Sequence, residues 1–119
     1  MKLITKAIST KLHKADQAFT ETGETSKPVI VKFFTPWGAA SWFIVSGTPL
    51  DAINGEPCEP EQAKDWHLFG YCDLGIPDCA ELGYVLLSQL QAIRGQFGLT
   101  VERDMYYGQH SLADVMPGC

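Results

Sequence analysis

No stretch of this 119-residue chain is apolar for long enough to span a membrane. Its Lys-rich start, with Lys2, Lys6 and Lys11 among Leu3, Ile4 and Ile8, also lacks the hydrophobic run of a signal peptide. A soluble, cytoplasmic protein with no membrane partner is expected. Cys-x-x-Cys and His-x-x-x-His pairs are missing too, so neither a zinc site nor any other bound metal is expected, and no cofactor. There is no P-loop, no dinucleotide fingerprint and no Gly-x-Ser-x-Gly, which removes the local signatures of nucleotide hydrolysis, hydride transfer and α/β-hydrolase chemistry. The four cysteines (Cys58, Cys72, Cys79, Cys119) read as thiols, because a reducing cytosol keeps them free.

Basic residues are scarce where acids are dense. The 51–81 stretch holds eight acids (Asp51, Glu56, Glu59, Glu61, Asp65, Asp73, Asp78, Glu81) against Lys64 alone, whereas the first 32 residues hold six lysines against three acids. Direct duplex binding through a broad basic face is disfavoured, since phosphate neutralisation supplies most of such affinity. An acidic patch instead suits a basic protein surface, including one that normally holds nucleic acid. The plainer reading is a solvated loop kept soluble by its charge.

What remains is a globular composition, 45% hydrophobic and 19% charged, in one domain with no internal break over 1–119. Ile4, Ile8, Leu12, Ala15 and Phe19 recur at helical spacing, so the chain opens with an amphipathic helix whose lysines face water. Residues 20–27 form a loop. From Pro28 the period becomes two, and Thr35-Pro36-Trp37-Gly38 turns the chain into a second extended arm, 40–45; apolar residues on both faces mark these strands as central. The Pro-rich stretch 47–65 reads as a long surface excursion with one helical turn at 60–64. Strands are expected over 67–73 and 82–87, and a short helix over 89–94, capped by Ser88 in a capping box with Gln91 and stopped by Gly95. A fifth strand over 101–106 and a final turn after Ser111 complete the chain. The architecture is α+β: an antiparallel sheet of four to five strands with the N-terminal helix and the short second helix packed mainly on one face.

Several residue sets could carry chemistry. Asp73, Asp78, Glu81, Glu102 and Asp104 form a weak acidic-site candidate, although turn carboxylates often bond their own backbone. Arg103 points away from its neighbours Glu102 and Asp104, so Asp73 or Glu81 is its natural ion-pair partner. A Cys–His hydrolase built from Cys72 or Cys79 with His67 or His110 is the enzymatic alternative. Trp37, in a hairpin turn, is expected exposed and suited to partner contact, beside Glu56, Glu59, Glu61 and Asp65 of the acidic stretch. Gly38, Gly70, Gly83 and Gly98 are expected where a Cβ would crowd a neighbour or strain a turn.

Three segments in order, Phe34-Thr-Pro-Trp-Gly38, Phe69-Gly-Tyr-Cys-Asp-Leu-Gly75 running into Glu81-Leu-Gly-Tyr-Val85, and Gly98-Leu-Thr-Val-Glu-Arg-Asp104, resemble the domain of unknown function 2958 family. The resemblance runs from about Leu3 to Val115. It implies a setting on bacterial plasmids, conjugative elements and phages, often beside anti-restriction genes, and it assigns no role to Glu102-Arg103-Asp104. Two departures are an acidic insertion at about 50–67 and Cys79-Ala80 ahead of the Glu-Leu-Gly-Tyr run. The expected function is a non-enzymatic accessory protein that binds a host or element-encoded protein and blunts a DNA-directed defence system, anti-restriction or anti-CRISPR in type. A homodimer is left open. The alternative is a small hydrolase-like enzyme using the carboxylates or the Cys–His pair.

Overall fold

Helix α1 (Lys6–Gln17) starts where Thr5 can cap it: the Thr5 Oγ1 accepts a hydrogen bond from the Ile8 N–H at 3.3 Å. Its apolar stripe delivers Leu12, wholly buried, onto the sheet, while Lys6, Lys11 and Lys14 face water as the spacing requires. The computed structural model describes residues 3–17, 28–52, 55–75, 80–105 and 107–115, so the expected 20–27 loop, Asp78, Cys79 and Cys119 lie outside the described residues.

The sheet is antiparallel, ordered β4-β3-β2-β1-β5, from strands β1 (Val31–Phe34), β2 (Ser41–Leu50), β3 (Asp65–Asp73), β4 (Glu81–Leu86) and β5 (Glu102–Arg103). The hairpin forms as the turn chemistry dictates, with Gly38 N–H donating to the Thr35 carbonyl at 3.2 Å and β1 and β2 both central. β2 runs further than its sequence suggests. Gly47, Thr48, Pro49 and Leu50 are strand residues paired with Leu68, His67, Trp66 and Asp65, so the excursion is confined to 51–64. A bulge between Ile44 and Ser46 makes this register workable, since it absorbs one residue and returns the apolar side chains to their faces. The fifth strand is correspondingly shorter than the alternation over 101–106 implies.

Two cores flank the sheet. On one face Val31, Phe33, Trp42, Ile44, Trp66 and Leu68 pack under α1 and α2 (Leu87–Ala92), which contributes Leu87 and Leu90. On the other, Val29, Val45 and Tyr71 pack against Leu112 of α3 (Leu112–Val115), with Phe43, Leu82 and Tyr107 around them. The first two helices thus share one face and the last short turn covers the other. Among the described residues no helix is long and apolar enough to cross a membrane.

The second helix begins two residues earlier than its capping-box motif indicates. Leu86 is the N-cap, its N–H bonded by the Gln89 side chain at 3.0 Å, and Ser88 sits inside the first turn. Gly70 is required by close approach, because a Cβ there would lie 2.1 Å from the Phe43 carbonyl oxygen. Gly98 has the expected positive φ of 74°. Gly38 and Gly83 differ from expectation: Gly38 is not among the positive-φ glycines, and a Cβ on Gly83 would meet nothing within 4 Å.

Candidate functional site

The sheet scatters the carboxylates. Asp73, Ser41, Phe34 and Glu102 lie in one cross-strand row, which leaves Asp73 and Glu102 three strand spacings, about 14 Å, apart. Asp73 Oδ1 accepts from the Gly75 N–H at 2.8 Å, the local turn bond that Asp favours. Asp104 is tied to Lys32 at 3.8 Å, and the Lys32 ammonium also lies 5.4 Å from the Tyr107 ring and 5.5 Å from that of Phe43. Among the described residues no group of three His, Cys, Asp or Glu could hold a metal ion.

The expected Arg103 ion pair with Asp73 or Glu81 is not formed. Arg103 sits on β5 and Glu81 on β4, at opposite edges of the sheet, in the row Glu81, Cys72, Trp42, Phe33, Arg103. Asp73 is closer but alternates onto the other face. Cys72 and His67, five residues apart on β3, likewise face opposite ways, and His67 stacks on Tyr84 with ring centroids 4.4 Å apart. Burial, then the charges of Asp73 and Glu81, push the Cys72 thiol up, which disfavours the nucleophilic thiolate. His110 stacks on Tyr107 at 4.1 Å.

Asp65 leaves the partner-binding set. At 1% exposure it cannot meet a partner. Its Oδ1 accepts from the N–H groups of Trp66 at 2.8 Å and Ser88 at 2.9 Å, while Oδ2 accepts from the Ser88 hydroxyl at 2.7 Å. A strand carboxylate therefore caps α2 from 23 residues away, which also suits the positive end of the helix.

Glu56, Glu59 and Glu61 are exposed, on a loop whose backbone is stapled. The Asp51 N–H donates to the Glu56 carbonyl at 2.9 Å and Asp51 Oδ1 accepts from the Glu56 N–H at 3.0 Å. Cys58 N–H reaches the Pro49 carbonyl at 2.9 Å, Lys64 N–H reaches that of Leu50 at 2.8 Å, and a 3₁₀ turn spans Pro60–Gln62. The three carboxylates stand on an ordered platform.

Trp37 is half-buried rather than free in its turn, because its indole lies on Gly95, where a Cβ would come within 2.2 Å of the ring. The most exposed aromatic among the described residues is Phe97, ahead of Tyr84, and nothing in the local spacing marks it as a surface residue. It sits 98% exposed at φ 59°, the one non-glycine residue with positive φ among those described. The turn beneath it is closed by Gly95 N–H to the Leu99 carbonyl at 2.8 Å, Leu99 N–H to that of Gln96 at 3.2 Å, and a bridge between Arg94 and Thr100. Arg94 fastens the turn to the end of α2 by donating to the carbonyls of Gln91 and Ile93. The one sequence signal for this knob was an apolar residue between Gln96 and Gly98 in a turn.

The chain matches the family model described as Protein of unknown function (DUF2958) over residues 3–115, nearly its whole length, and it belongs to that family. No curated protein and no solved structure matches it.

Proposed function

We propose that this chain is an accessory protein that acts by binding another protein, and that Phe97 is the anchor of the contact. The observation that carries this reading is the posture of Phe97. A left-handed backbone at a non-glycine residue costs stability and the fully solvated phenyl ring returns none by burial, and such strain is stored at functional sites when surrounding structure enforces it, as the stapled turn does here. An aromatic side chain entering a partner pocket from a rigid turn loses little freedom on binding.

The Glu56, Glu59 and Glu61 platform supports the same reading from electrostatics. Three carboxylates on an ordered loop complement a basic surface of the kind that holds nucleic acid. In the plasmid, conjugative-element and phage setting that the family resemblance implies, the partner is a host or element-encoded protein of a DNA-directed defence system, of anti-restriction or anti-CRISPR type.

The test is capture of partners from the host by three tagged forms: the wild-type chain, Phe97→Ala, and the Glu56→Lys, Glu59→Lys, Glu61→Lys triple variant. One protein should be retained by the wild type and lost with Phe97→Ala, and its rebinding in purified form should weaken at least about tenfold with that variant. Equal binding by wild type and Phe97→Ala would sink the reading.

A further inference from the structure

A cleft of about 880 Å³ opens between α1 and the 59–64 segment, within the size range of small-molecule sites. Its floor is apolar, with Leu3, Ile4, Trp66, Leu87 and Val101. Its walls differ in chemistry. The α1 wall presents Lys6 and, two helical turns on, the neighbours His13 and Lys14, and the facing wall presents Glu59 and Glu61 with Lys64.

Three properties of these walls point to a ligand. Lys6, Lys14 and Lys64 make no ion pair with any described residue, even though two carboxylates line the same cleft. The His13 Nδ1 is buried and has no hydrogen-bond partner among the described residues, a condition that native proteins rarely leave uncompensated. The Ser9 and Thr10 hydroxyls both donate to the Lys6 carbonyl, at 2.8 and 3.1 Å, so what they offer the cleft is acceptor lone pairs. Unpaired ammonium groups select an anionic group, lysine serves phosphate well as a mobile point charge, and a ring N–H of His13 on the same wall can add a hydrogen bond to a phosphate oxygen. Acceptor hydroxyls and opposed carboxylates select donors on the rest of the molecule. The apolar floor selects a body with a flat or greasy side.

We propose that this cleft binds a small organic phosphate whose body carries hydroxyl or amine donors, the phosphate seated between Lys6, Lys14 and His13 and the donors directed to Glu59 and Glu61. The site shares Glu59 and Glu61 with the acidic platform but does not include Phe97, and it is assayed on the full chain alone.

Amide chemical shifts would be followed during titration with adenosine monophosphate, adenosine and inorganic phosphate. Adenosine monophosphate should move Ser9, His13 and Lys64 together and saturably, with each of the other two probes at least about tenfold weaker, because each lacks half of the recognised chemistry. Lys6→Gln with Lys14→Gln, both solvent-exposed changes that keep the fold, should weaken the nucleotide at least about tenfold, and His13→Gln should weaken it as well. The proposal is overturned if the three amides stay still up to about 10 mM nucleotide. It is overturned equally if adenosine or inorganic phosphate binds as tightly, or if the double lysine variant binds like the wild type.

Discussion

Asp65 is a single residue whose loss should be felt throughout α2. Asp65→Ala would strand the Trp66 and Ser88 N–H groups that it now bonds, one of them buried, and remove a favourable charge from the helix start. A destabilisation of about 2–4 kcal/mol is expected in urea or guanidinium unfolding. Glu61→Ala, on the exposed platform, should stay within about 0.5 kcal/mol of wild type. Cys72 supplies a pH dependence. Its thiol is raised in the fold by burial and by Asp73 and Glu81, so the unfolded chain gives up this proton first as pH rises. Below the unfolded value of about 8.5 the group has no effect on the slope; above it the unfolded state holds fewer protons, and stability falls until the folded thiol ionises too. Unfolding midpoints between pH 8 and 10 should decline for wild type and decline less for Cys72→Ala.

At the scale of the element, the 94–100 turn separates what serves folding from what serves contact. Gly95→Ala would drive a methyl group into the Trp37 ring, and an overpacking cost of about 1–3 kcal/mol should register as a lowered unfolding midpoint. Phe97→Gly acts in the opposite sense. Because Phe97 buries almost nothing and holds a φ of 59°, glycine there should leave stability unchanged or raise it by up to about 1 kcal/mol while abolishing partner binding. A large loss of stability with Phe97→Gly would assign the ring to the fold instead of the partner. The same contrast explains why the turn was hard to read from sequence: Gln96, Phe97 and Gly98 carry a turn signal, but only the closure by Leu99 and the anchorage by Arg94 show the phenyl standing out.

For the whole molecule the deciding quantity is where its charge sits. The chain carries −5, and reversing Glu56, Glu59 and Glu61 adds two charges each, six in all, to reach +1. The platform is exposed, so folding should survive the change, whereas association with a basic partner should slow sharply. Wild-type association rates, measured by stopped flow, should fall as salt shortens the Debye length below about 8 Å, and the triple variant should lose that dependence. An unchanged rate and salt profile would leave the acids as a solubilising loop.

Local regularities carried much of this architecture in the residues themselves. The spacing of Ile8, Leu12 and Ala15 dictates an amphipathic helix, which starts at Lys6 and leaves Ile4 ahead of it, the alternation from Pro28 dictates strands, and Thr35-Pro36-Trp37-Gly38 dictates their turn, because each is a relation between residues a few positions apart. Strand class, the two helices on one face and the exposed Glu56, Glu59 and Glu61 follow from such relations. Register and pairing do not. Pro49 reads as a loop residue until Trp66 is found opposite it, Asp65 reads as one more surface acid until Ser88 is brought to it, and Arg103 reads as a partner for Glu81 until three strands come between them. Each depends on which distant segment supplies the neighbour, and that is decided by the bulge at Val45, the sheet order and the burial of two faces at once. The cleft and the Phe97 knob belong to the same class, since the first needs α1 set against the 59–64 segment and the second needs Gly95 held under the Trp37 ring.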